Sequence, residues 1–132
     1  MANEFINPDS VHPPRAWTHV VRATGQTTIY VSGQLGVLPS GVVLDGLEAQ
    51  APQVYRNLGA VLAAAGAKPR DVVKETIYIV GWDHNPDRLQ SLRAAREQFF
   101  GGRYPASTLV GVHALGRREY FIEVDAIAVI DR

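Results

Sequence analysis

The chain has 132 residues, 46% of them apolar, and thirteen basic side chains balance thirteen acidic ones. That suffices for one domain, residues 1–132, around one core. Neutrality withholds the positive field that holds nucleic-acid phosphates and the polybasic segment that grips an anionic membrane, so neither nucleic acid nor membrane is an expected partner.

Taken in chain order, Pro8, Pro13 and Pro14 predict an extended N-terminal arm over residues 1–15. A strand follows from Trp17 to Ala23, then a turn at Thr24, Gly25 and Gln26, then a returning strand from Thr27 to Ser32. The glycines between 33 and 46 predict a loop, with room for a short strand at Val42 to Leu44. Val54, Leu58, Val61, Leu62 and Ala65 recur at helical spacing and predict a helix from Leu47 to Ala65 that Gly66 ends. After the turn at Pro69, a strand runs from Val72 to Val80. Asn85 as N-cap and Pro86 behind it open a second helix to Phe100, with Leu89, Leu92, Ala95 and Phe99 on one stripe. Strands from Thr108 to His113 and from Tyr120 to Ile130 close the chain. This order predicts an α+β fold with both helices on one face of a sheet.

In the last strand, Ile122, Val124, Ala126, Ala128 and Ile130 form a wholly apolar face that meets the helices. The opposite face, Phe121, Glu123, Asp125, Ile127 and Val129, is too apolar for water. A second copy of the chain is the economical cover, which predicts an oligomer with carboxylates near its interface.

The chain has no cysteine, which removes disulfides, thiolate catalysis and Cys-rich zinc sites. With no apolar leader and no membrane-length run, the expected location is the cytoplasm. His12, His19, His84 and His113 lack metal-motif spacing and read as solvated or structural, so no metal is expected. Ser32 and Ser107 stand outside any nucleophile elbow. Gly33 and Gly36 lack the context of a dinucleotide fold, and Gly101-Gly102 follows a helix rather than opening one, so it caps and does not bind phosphate. Glu123 and Asp125 point the same way beside apolar neighbours. They are either a solvated or ion-paired couple, or an acid–base group that orients water. Arg93 and Arg96 lie off the stripe of the second helix. They are either a solvated face or, through paired N–H donors, a clamp for an anion.

Four stretches, Ile29–Gln34, Ala64–Lys74, Tyr104–Val112 and Ile122–Val129, together resemble the Rid family, also called RidA/YjgF or L-PSP endoribonuclease. The resemblance extends from Trp17 to Ile130. It implies a chorismate-mutase-like (YjgF-like) sheet and a homotrimer whose sheets form a central barrel, with small-molecule sites in the clefts between subunits. It also implies cofactor-free hydrolysis of reactive imines and enamines to keto acid and ammonia. By the same resemblance Glu123 positions the attacking water, Ser32 and Gly33 match a serine–glycine pair near the pocket, and Leu109 belongs to the pocket-wall segment. Trp17 stands where the deaminases have a tyrosine.

Ser107 follows Pro105-Ala106 where the deaminases have an arginine that grips the substrate carboxylate. Arg93 replaces an asparagine of the deaminases, and either restores a cation or lines the subunit surface. Two functions follow: a hydrolase whose substrate differs from 2-iminopropanoate, or a non-catalytic trimer that binds or senses a small ligand. RNA cleavage, the older family label, is disfavoured by neutrality and the lack of a histidine pair.

Overall fold

The computed structural model describes residues 3–132; Met1 and Ala2, which open the predicted arm, lie outside the described residues. The chain forms β1 (Glu4–Ile6), β2 (Val20–Arg22), β3 (Thr27–Leu35), α1 (Gly46–Ala64), β4 (Val72–Val80), α2 (Gln90–Phe100), β5 (Ala106–Val112) and β6 (Ile122–Ile130). Single 3₁₀ turns, Pro69–Asp71 and Pro86–Leu89, lead into β4 and α2. The main sheet has the order β3-β6-β4-β5. Strand β6 is antiparallel to both neighbours, and β4 and β5 are parallel. A parallel pair needs a crossover, which α2 supplies.

Strand alternation sets the layers. Ile122, Val124, Ala126, Ala128 and Ile130 are all buried, as predicted, against Leu47, Ala51, Val54, Leu58 and Leu62 of α1. Both helices cover this face. The opposite face carries Lys74, Thr76, Tyr78, Glu123, Asp125 and Ile127, all partly exposed. On β3, Tyr30 is 79% exposed. Local end signals act as their chemistry requires. Gly66 takes φ +80° after α1, and Gly101 takes φ +64° after α2. The Asn85 side chain accepts from the Asp87 amide at 3.1 Å.

The predicted returning strand does not pair with the one before it. Strand β2 pairs with β1 in a separate two-stranded sheet, and β3 pairs only with β6. Across the small sheet, Arg22 Nη2 donates to both Glu4 carboxylate oxygens at 2.9 Å. Gly25 is pressed onto the end of β6, where a Cβ would lie 2.6 Å from the Ile130 carbonyl oxygen. The arm therefore holds a strand of its own. The short strand at Val42 to Leu44 reduces to one bridge, Val37 with Val43.

Polar residues on the buried side of α1 fasten the loops. Gln50 is fully buried. It donates to the Leu44 carbonyl at 2.8 Å and the Glu119 carbonyl at 2.6 Å, and accepts from the Phe121 amide at 2.9 Å. Asn57 donates to the Leu35 and Val37 carbonyls, both at 2.9 Å. Gly36 lets the helix come this close, since a Cβ there would lie 2.3 Å from that of Gln50. Gln50→Ala strips partners from buried backbone groups and is expected to cost about 3 kcal/mol or more. The urea midpoint should fall at unchanged slope. A loss below about 1 kcal/mol would show that water replaces the amide.

Candidate functional site

Glu75 stands on the helix-facing side of β4 and is 0% exposed. A carboxylate there is tolerable only with donors around it. Tyr55 of α1 donates its hydroxyl to Oε1 at 2.7 Å. Arg96 of α2 donates Nε to Oε2 at 3.0 Å and Nη2 to the same oxygen. Ser107 of β5 donates its hydroxyl to Oε2 at 3.0 Å. Arg96 is thus not on a solvated face: it is 6% exposed and its guanidinium lies over the Tyr104 ring at 4.9 Å. Burial by itself would pull the Arg96 guanidinium down, but Glu75 outweighs it and holds the group above its ordinary value. Burial first, and Glu75 second, push the Tyr55 phenol well above its usual range. Sequence reasoning missed this cluster. Its signal was an acid on a face otherwise made of Val73, Ile77 and Ile79, opposite an arginine in line with Leu92 and Phe100.

Beside this cluster lies a cavity of about 790 Å³. Its walls come from the arm, from α2 and from the adjacent strands β4 and β5. Of the predicted site residues, Trp17, Arg93, Ser107 and Leu109 meet here. Thr18 pins the arm in place, its amide donating to the Pro105 carbonyl at 3.0 Å and its hydroxyl to the Tyr104 carbonyl. Trp17 is held edge-on by His12 and His19, each with its ring centre 5.9 Å away. The Arg96 and Ser107 side chains at the cavity wall are already bound to Glu75. Arg15 and Arg93 also line the cavity and are exposed. Among the described residues, neither has a hydrogen-bond or ion-pair partner.

Ser32, Gly33 and Glu123 lie apart from this cavity. Ser107 neighbours Glu75 and so faces the helices, whereas Glu123 is opposite Tyr78, three positions along β4 and hence on the other side of the sheet. A bulge between Val31 and Gln34 sets Ser32 and Gly33 against Asp125. A Cβ on Gly33 would lie 1.7 Å from Glu123 Oε2, so the carboxylate occupies the place of the missing side chain. Tyr78 donates to Asp125 Oδ2 at 3.2 Å, and Asp125 is the main cause holding that phenol above its usual range. His84 and His113 border a separate hollow beside Trp82. Among the described residues, no group of three or more metal-ligating side chains is close enough to hold an ion. One chain therefore offers a cavity able to hold an anion with an apolar body. On its uncovered face it offers a carboxylate able to accept a proton.

Removing one member of the buried pair leaves the other charge uncompensated. Arg96→Met is expected to lose about 3 to 5 kcal/mol of stability. Adding Glu75→Gln returns a neutral acceptor for Tyr55 and should recover about 2 kcal/mol of that loss. A double-mutant cycle by denaturant unfolding measures the coupling, and simple additivity would show that the pair is unimportant.

The family model described as Endoribonuclease L-PSP matches residues 8–130. The 2-iminobutanoate/2-iminopropanoate deaminase of Dermatophagoides farinae is 34% identical over 106 residues, 79% of each chain. The Homo sapiens protein of the same name is 35% identical over 104 residues, covering 77% of this chain and 72% of that one. The crystal structure of YyfB, a Rid family protein of unknown function from Yersinia pestis, superposes with a TM-score of 0.88 at 35% identity. It covers 98% of this chain and 100% of its own. A matched family model spanning nearly the whole chain, relatives of this identity and a shared fold place the chain in the endoribonuclease L-PSP family, the RidA/YjgF or Rid family.

Proposed function

We propose that the protein is a cofactor-free hydrolytic deaminase of imines or enamines, acting as a homotrimer in which Glu123 of one copy completes the Trp17 pocket of the next. The observation that carries this reading is the Glu123 carboxylate, held against the Gly33 backbone on an uncovered sheet face. That relatives are named imine deaminases supports the reaction class.

In the proposed step, Glu123 takes a proton from a water molecule as its oxygen attacks the C=N carbon. The proton passes to nitrogen, and the resulting carbinolamine collapses to a carbonyl compound and ammonia. General-base action of this kind contributes about 10²- to 10⁴-fold. The bound ligand is an anion held in the cleft by Arg93, with Trp17 and Leu109 as walls and Ser32 and Gly33 framing the carboxylate. Ser107 lacks a guanidinium's charge and fork of donors, and its hydroxyl already serves Glu75. The substrate therefore differs from 2-iminopropanoate. That same engagement, with no free acid or base within the cavity of one chain, favours a second reading: a trimer that binds a small ligand without turning it over.

The decisive assay follows ammonia released from imines freshly generated from a range of amino acids. Glu123→Gln should lose about 100-fold or more of the acceleration. Gly33→Ala should lose activity too, because its methyl displaces the carboxylate, while the unfolding midpoint hardly moves. Light scattering should give the mass of three chains. No acceleration over buffer, beside an authentic deaminase as control, would remove the hydrolytic reading and leave the binding one. A monomeric mass would remove both.

A further inference from the structure

We infer that the ligand of this cavity is a dicarboxylate, an apolar body with an anionic group at each end, one for Arg15 and one for Arg93. The inference rests on the cavity being the ligand site, as proposed above, but not on hydrolysis.

The charges around the cavity carry it. Arg96 is neutralised by Glu75, and among the described residues no acidic side chain of the same chain lines the walls. What remains is a pair of guanidinium groups, one from the N-terminal arm and one from α2, both without partners among the described residues. A ligand with one carboxylate satisfies one of these exposed guanidinium groups and leaves the other to water. A second carboxylate adds a second charge-assisted contact. Between the arginines the surface is Trp17, Ile77, Leu92 and Leu109, which asks for hydrocarbon or a ring. In the hydrolytic reading, the substrate class becomes imines or enamines of dicarboxylic 2-oxo acids.

Matched probes test this without turnover. Binding of adipate against hexanoate, and of isophthalate against benzoate, is measured by calorimetry on the intact protein, with tryptophan fluorescence as a second signal. Each dicarboxylate should bind about tenfold or more tighter than its monocarboxylate. Arg15→Gln and Arg93→Gln are safe substitutions for folding, since neither side chain has a partner to lose. Each should shrink the preference to about twofold or less. Arg118→Gln, in the loop before β6, changes the net charge equally and should leave the preference intact. Equal affinities within each pair, no binding by any of the four probes, or a preference that survives either arginine substitution would overturn the inference. A preference without hydrolysis of any imine removes the deaminase reading and leaves this one standing. Hydrolysis without a preference does the reverse.

Discussion

The carboxylate of Glu75 is the constraint on which the arrangement around the cavity depends. It sits without exposure on β4, one of the two inner strands of the main sheet, on the face the helices cover. Taking such a group out of water costs several kcal/mol unless donors replace the water. The donors come from α1, α2 and β5: Tyr55, Arg96 and Ser107. One buried acid thus fixes the crossover helix over the parallel pair and joins the elements that floor the cavity. It also decides the cavity's charge. The guanidinium nearest Ser107 is held by a structural partner, so the positive charge open to a ligand belongs to Arg15 and Arg93.

A second constraint comes from two glycines a turn of chain apart. Gly33 leaves room for the Glu123 carboxylate, and Gly36 leaves room for the Gln50 side chain. Neither takes positive φ, so both are needed for space rather than for backbone freedom. The bulge at Ser32 and Gly33 changes the register of β3 within a few residues of where α1 clamps the following loop through Asn57. The position of the carboxylate is therefore tied to the packing of α1 on the sheet, and the rigid scaffold reaches it through backbone contact.

Much of the fold was legible because its signals are local. The alternation of β6, the glycine after α1 and the Asn85 cap each involve neighbours in sequence, and each behaves as its chemistry dictates. What failed was pairing at long range. Nothing in Val20–Arg22 announces that its partner is Glu4–Ile6 rather than the strand after the next turn. Arg96 was misjudged for a different reason. The stripe through Leu89, Leu92, Ala95 and Phe99 is real, but α2 is covered on two sides, and Arg96 lies on the line from Leu92 to Phe100. A charge on a helix is buried or solvated according to the strand residue it meets, and for Arg96 that residue is Glu75. The same limit applies to the site. Trp17, Arg93, Ser107 and Leu109 converge because α2 leads directly into β5 and Thr18 ties the arm to the turn between them. Glu123 was legible as a candidate, but its separation from that group follows from strand parity, which needs the register of β4 against both neighbours.

Strand parity also links the assembly to the chemistry. A residue on one face of a sheet cannot serve a cavity on the other within the same chain, whatever its side-chain rotamer. Either Glu123 has a role unconnected with the cavity, or another copy of the chain presents its own Glu123 there. The uncovered face favours the second alternative on physical grounds independent of function. It leaves Tyr30 79% exposed, with Val110 at its edge 37% exposed and Ile127 partly exposed. Apolar surface of that extent is what association removes from water. The ionisable groups on it are already partly satisfied within the chain, Asp125 by Tyr78, and Lys74 by Thr108 at 2.7 Å. Burying the face therefore strands few charges, and among the described residues the one carboxylate on it without such a side-chain bond is Glu123. In the proposed trimer, the drive to associate and the base supplied to a neighbouring cavity come from the same surface, so a substitution that weakens one acts on the other.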